Sequence, residues 1–189
     1  MAKWWTHIKN AISPSDCAWL IEHARTFKGQ EATVVANGKS DIAGSQRQAT
    51  VFFIPRFDPE VQLLFSQFET WMLQANAQHW GADCQGFHQI QVACYTPGHG
   101  HHCWHRDCAL VGNDMGSAFD RKITLVAQLS DPSDYEGGQL ELEHGDLKSG
   151  AFERGDIIIF PSFLKHRVTP VTKGVRYSLA TWSVGPKWR

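Results

Sequence analysis

The sequence predicts a mainly β (α+β) domain in which N-terminal helices flank a C-terminal double-stranded β-helix, or jelly roll. Three observations predict it. Helical periodicity is confined to the first half of the chain. From Gln89 onward the texture changes to short β-rich runs at 90–95, 123–129, 139–142, 156–160, 168–171 and 175–184, separated by turn residues. No internal repeat and no Pro- or Ser-rich linker divides the 189 residues, a length that suits one core. The expected organisation is a single domain over 1–189, with helical support and outer strands in 1–88 and the core barrel in 89–185.

The elements follow in chain order. Ser13 or Ser15 caps a first helix carrying Trp19, Leu20, Ile21 and Ala24 at helical spacing, with Asp16 near its positive end. A second, amphipathic helix is expected from Pro59 to about Trp80, with Val61, Leu64, Phe65, Phe68, Trp71, Met72 and Ala75 on one face. Between them, residues 30–48 are polar and punctuated by Gly, Ser, Asn and Asp, and are expected as a mobile loop ahead of the apolar run 51–54. Residues 109–120 form a second Gly-containing polar loop. Either loop is placed to close over a bound substrate, with Arg47 a candidate contact.

Composition narrows the function classes. Hydrophobic residues make up 42% and charged residues 20%, as in a globular rather than a disordered protein. A net charge of -1 offers no basic field for a phosphate backbone, so no nucleic-acid partner is expected. The N-terminus lacks an apolar leader core and no run reaches spanning length, so neither secretion nor a membrane is expected. The five cysteines are odd in number and show no CxxC pair, which argues for free thiols in a reducing cytoplasm. Cys103 and Cys108 sit among histidines, yet the paired spacings of a structural zinc site are missing.

The chemistry concentrates around Tyr95 to Asp107, where His99, His101, His102 and His105 crowd together. If residues 104–108 are extended, His105 and Asp107 project from one face two residues apart and reach the same ion. His166, at a strand entrance after the apolar run 157–160, is the candidate third ligand. Two imidazoles and a carboxylate on one face of an octahedron leave positions open, the arrangement of non-haem Fe(II) oxygenases. HxD alone is a common tripeptide. His99, His101 and His102 stand beside Pro97, Gly98 and Gly100, and are read as loop residues; the glycines argue against a strand that starts so early.

After His166 the chain reads as a strand, a turn at 172–174 and a returning strand, a hairpin that carries Arg176 back towards His166. Alternation then puts Arg176, Ser178, Ala180 and Trp182 on one face. An arginine inside an apolar barrel needs an anion. That anion is either a bound carboxylate, to which Ser178 adds a donor, or a protein acid such as Glu141 or Glu143.

Ordered motifs along about two thirds of the chain resemble the 2-oxoglutarate/Fe(II) dioxygenase superfamily, in its prolyl 4-hydroxylase-like branch with small bacterial and phage members. They are Tyr95 ahead of His105-Arg-Asp107, Arg121-Lys-Ile-Thr-Leu-Val-Ala-Gln-Leu-Ser, Asp134-Tyr-Glu-Gly-Gly-Gln-Leu-Glu-Leu, Gly155-Asp-Ile-Ile-Ile-Phe-Pro-Ser, and His166 through Trp182. The resemblance implies that His105, Asp107 and His166 bind Fe(II) and that Arg176 pairs with the far carboxylate of 2-oxoglutarate. It implies that Tyr95 bonds the co-substrate and that Thr124, Gln128, Ser178 and Trp182 line its pocket. Many relatives carry an aromatic residue where His102 stands.

The implied reaction consumes O2, with ascorbate keeping the iron reduced, and releases succinate and CO2 while a C–H bond becomes an alcohol. Relatives that halogenate carry a small residue where Asp107 stands, so the carboxylate predicts hydroxylation. The expected substrate is a prolyl residue in a protein or peptide. Alternatives are another amino acid, a small molecule or a nucleobase, although nucleobase demethylases carry a second arginine where this chain has Trp182. A cupin-like metalloprotein and a non-catalytic barrel module are the readings outside this chemistry.

Overall fold

A computed structural model describes residues 3–32, 34–36, 39–41, 46–98, 100–108, 119–144 and 152–188. In chain order the elements are β1 (Thr6–Ile8), α1 (Pro14–Arg25), β2 (Gln30–Glu31), β3 (Val34–Ala36), β4 (Lys39–Asp41), β5 (Arg47–Gln48), β6 (Thr50–Ile54) and α2 (Gln62–His79). There follow β7 (Gly86–Phe87), β8 (Ile90–Tyr95), β9 (His101–His105), β10 (Phe119–Gln128), β11 (Tyr135–Gly137) and β12 (Leu140–Leu142). The chain ends through β13 (Ile157–Pro161), β14 (His166–Val168), β15 (Val171–Gly174) and β16 (Arg176–Pro186).

Both predicted helices form, and their ends have physical causes. The Ser13 hydroxyl accepts from the Asp16 backbone N–H at 3.1 Å, satisfying one of the free donors of α1, and Pro14 occupies its first position. The second helix enters through a 3-10 turn over Pro59–Val61, where Asp58 accepts from the Glu60 N–H at 2.9 Å. Leu20, Phe68 and Met72 are fully buried against the sheet residues Ile123, Leu125 and Leu179. Each such large side chain contributes about 1.5–3 kcal/mol on leaving water. Among the described residues no helix is long and apolar enough to cross a membrane.

The architecture is a double-stranded β-helix built from two antiparallel sheets. The larger runs β1-β13-β10-β16-β8-β6-β2, with β7 also pairing β16; the smaller runs β12-β14-β9-β5. Hydrogen bonds cross between the sheets at one end, from Thr124 of β10 and Trp182 of β16 to Asp107 just after β9. The helices cover the outer face of the larger sheet.

Three local expectations change. The segment 30–48 is not simply a loop: Gln30–Glu31 pairs with β6, β3 pairs with β4, and Arg47–Gln48 adds the edge strand of the smaller sheet. Residues 33, 37–38 and 42–45 of that segment and residues 109–118 lie outside the described residues. β9 does begin at His101 despite the neighbouring glycines, because it gains partners on both edges, β14 and β5. Residues 172–174 form no hairpin turn. β15 pairs with β11, and Gly174 at φ 70° then delivers the chain into β16, which belongs to the other sheet. A Cβ at Gly174 would run into the Asp134 carbonyl oxygen, so this crossing needs glycine. Arg176 and His166 therefore stand in different sheets, on β16 and β14, rather than on one hairpin.

Candidate metal centre

His105 ends β9, His166 opens β14, and the two strands pair them directly in register. Asp107 lies past the strand end, in a bend whose backbone N–H donates to the Ser162 carbonyl at 2.9 Å. That bond, rather than strand alternation alone, turns the carboxylate toward the imidazoles. One ligand atom from each of the three residues lies within 4.8 Å of the others.

Neighbouring groups fix the chemical state of each side chain. His105 Nδ1 lies 2.8 Å from the Cys103 carbonyl and His166 Nδ1 lies 3.1 Å from the Leu164 carbonyl. A carbonyl only accepts, so each Nδ1 carries a hydrogen, which leaves each Nε2 as the ring atom available to a metal. Burial pushes the His166 pKa down to about 4 against the pull of Asp107. Burial opposes charge on Asp107 as well, yet His166, His105 and Arg121 together hold its pKa well below the usual carboxylate range. A neutral imidazole and an ionised carboxylate are the states a metal needs. Both described donors to Asp107, Thr124 Oγ1 at 2.8 Å and Trp182 Nε1 at 2.9 Å, fall on Oδ2. Thr124 is itself held by the Ser162 hydroxyl at 2.9 Å. Thr124 and Trp182 thus orient the carboxylate from behind.

A bulge in β9 decides what else reaches the centre. Three steps on β9, from His105 to His102, answer two on β14, from His166 to Val168. His102 consequently stacks on His105, with ring centroids 3.4 Å apart, while Cys103 and Trp104 turn out to solvent. Burial, then the charges of His105 and Arg47, drive the His102 pKa far down, so it sits there neutral. Arg47 stands opposite His102 in β5, with its Nε buried and unpaired among the described residues. His101 lies opposite Gln48 in the same strand, and His99 lies outside the described residues.

Arg121 is the residue the sequence reading missed. β10 carries its own irregularity between Arg121 and Ile123, so Arg121 shares the inward face with Thr124 three residues later. Its guanidinium lies 3.7 Å over the Trp182 ring, and Nη1 lies 4.0 Å from Asp107 Oδ1. The only signal in the sequence was a charge at the head of an apolar run. Strict alternation would have turned it outward.

Deeper in the same barrel, Arg176 is 1% exposed. Its Nε donates to Gln128 Oε1 at 3.1 Å, and its Nη1 has no partner among the described residues. Tyr95 stands beside it in register and presents its ring 5.5 Å from the guanidinium carbon. The protein acids weighed for Arg176 are engaged elsewhere: Glu141 pairs with Arg167 at 2.7 Å and Glu143 with Lys165 at 3.8 Å. Ser178 is buried opposite Gln128 on the neighbouring strand. A buried cation with an unused donor fits a bound anion.

Residues 90–184 match the family model described as the 2OG-Fe(II) oxygenase superfamily. A PKHD-type hydroxylase of a Synechococcus strain is 30% identical over 155 residues, 82% of this chain and 62% of the relative. The chain thus spans about three fifths of that relative's length. The viral collagen prolyl hydroxylase of Paramecium bursaria Chlorella virus-1, in its 2OG complex, shares the fold at a TM-score of 0.71 and 19% identity, covering 97% of each chain. A Trichoplax adhaerens prolyl hydroxylase, solved with a hypoxia inducible factor peptide fragment, shares it at 0.70 and 16% identity, covering 95% of this chain and 83% of that one.

Proposed function

The chain belongs to the 2OG-Fe(II) oxygenase superfamily, and on that premise we propose that it hydroxylates an unactivated C–H bond of a prolyl residue in a protein or peptide. One observation carries the reaction class. A two-histidine, one-carboxylate cluster within 4.8 Å shares a barrel with a buried arginine whose Nη1 lacks a partner among the described residues. The donor set fits Fe(II), and the free guanidinium nitrogen fits the distal carboxylate of 2-oxoglutarate. Bound Fe(II) and 2-oxoglutarate would supply the oxidising power, with succinate and CO2 as co-products.

The residues divide the remaining work. His105, Asp107 and His166 would hold the metal on one side and leave the other for ligands. The Cys103 and Leu164 carbonyls keep both imidazoles in the ligating tautomer. Thr124 and Trp182 hold the carboxylate at Oδ2. Arg176, aligned by Gln128, fixes the far end of the co-substrate. Arg121, on the Trp182 ring beside the metal ligands, and Arg47, across from His102, would serve as donors to a peptide's backbone carbonyls. The prolyl substrate is supported by likeness to the prolyl hydroxylases that share the fold. Five free cysteines support a cytoplasmic setting.

The test supplies Fe(II), 2-oxoglutarate, oxygen and ascorbate together with a proline-rich peptide library. Peptides are expected to gain the mass of one oxygen atom on proline while succinate accumulates, and Asp107→Ala is expected to do neither. Oxygen gain on a residue other than proline would sink the substrate assignment. Failure of the anaerobic Fe(II) protein to bind 2-oxoglutarate would sink the reaction class.

A further inference from the structure

The irregularity that turns Arg121 inward is a matter of one extra residue. Arg121 pairs with Val184 of β16 and Ile123 with Ser183, so Lys122 is the residue without a place in the register. Moving that extra residue along the strand by one position would turn Arg121 to the opposite face. Its place is set by whatever holds the peptide groups that pass through it.

Three successive peptide groups do so, and each is bonded. The first carries the Arg121 N–H, which donates to Asp120 Oδ1 at 2.9 Å. The third carries the Lys122 carbonyl, which accepts from the Ser162 N–H at 2.9 Å, and the Ile123 N–H, which donates to Ser183 Oγ at 3.1 Å. The middle group joins Arg121 to Lys122, and its carbonyl accepts from Trp188 Nε1 at 3.0 Å. Trp188 stands two residues past β16 and touches none of the metal ligands in these bonds.

The indole is seated by the same pair of residues that it holds. Lys122, 4% exposed, sets its Nζ 3.9 Å from the centre of the Trp188 ring, and Phe163 meets that ring edge-on at 5.2 Å. Trp188 thus grips Arg121 by its carbonyl and Lys122 by its ammonium. With the peptide between them fixed, the Arg121 guanidinium lands 3.7 Å over Trp182 and 4.0 Å from Asp107. The geometry points to Trp188 as a positioning residue for Arg121, one that aims the guanidinium into the site from outside it. The consequence for substrate affinity rests on the reading of Arg121 as a peptide contact given above.

Proton–nitrogen NMR of the protein loaded with Zn(II) and 2-oxoglutarate tests the positioning without turnover. The Arg121 Nε–H signal, assigned with Arg121→Lys, lies over the Trp182 ring and is expected upfield of an exposed arginine. Trp188→Phe keeps an aromatic ring for Lys122 and Phe163 but deletes the donor to the Arg121 carbonyl. It is expected to abolish that upfield displacement while the Trp182 Nε1–H signal, assigned with Trp182→Phe, stays in place on Asp107. An unmoved Arg121 signal would overturn the proposal, and so would equal displacement of both signals, which would make Trp188 a general support of the fold. Turnover of the peptide hydroxylated in the library separates the two levels. Trp188→Phe should raise KM by about tenfold, the size of one hydrogen bond to a charged group, with kcat near that of the wild type. If the Arg121 signal moves and KM does not, the positioning stands and the role of Arg121 as a peptide contact fails.

Discussion

Strands β10 and β16 bury both of their faces, with opposite chemistry. Toward the helices they present Ile123, Leu125, Ala127 and Leu179, all fully buried among Leu20, Phe68 and Met72. Toward the barrel they present Thr124, Gln128, Arg176 and Trp182, buried to nearly the same degree. Burial therefore does not distinguish core from site here. What distinguishes them is bonding: the outer face closes on itself by packing, whereas the inner face retains an arginine donor with no partner among the described residues. One face stabilises the fold, and the other carries the cost of polar burial in order to bind.

The contrast can be broken from either side. Asp107→Ala on the inner side removes a ligand and should lower succinate formation by about a thousandfold or more, close to a complete loss, since ligand and metal are lost together. Assay of turnover beside metal content checks it, and a melting temperature near that of the metal-free wild type would show that the outer face is untouched. Phe68→Ala on the helix side should cost about 3–5 kcal/mol in denaturant unfolding, from lost transfer energy and a residual cavity. The fraction still folded should keep its affinity for 2-oxoglutarate; a variant that stays stable but loses that affinity would contradict the division. Thr124→Val preserves shape and deletes one donor to Asp107. Metal affinity in a chelator competition should fall by about tenfold, with stability nearly unchanged, as expected of a group that supports a ligand from behind.

Much of this was written in local pattern. The apolar faces of both helices, β8 at 90–95, and the trio of His105, Asp107 and His166 follow from periodicity, residue chemistry and family motifs. Arg176 followed too, because an arginine inside an apolar strand demands an anion. The path between His166 and Arg176 did not follow. Thr172, Lys173 and Gly174 have the chemistry of a hairpin turn, yet β11 offered β15 a partner, and the chain crossed to the other sheet instead. Arg121 and His102 were hidden for a related reason. Alternation assigns each to the wrong face, and an irregularity in each strand reverses the assignment.

The sequence by itself determined which side chains could do chemistry and which faces had to be buried, because ligand type, helical period and the cost of a lone buried charge are properties of the residues. Tertiary structure alone decided which groups meet. A bulge costs nothing that a local pattern records, since its position is set by the hydrogen bonds of the neighbouring strand. That is why His102 lies on His105 and Arg121 on Trp182. It is also why the Tyr135 hydroxyl of β11, five residues before the first residue of β12, meets the Gln128 amide of β10.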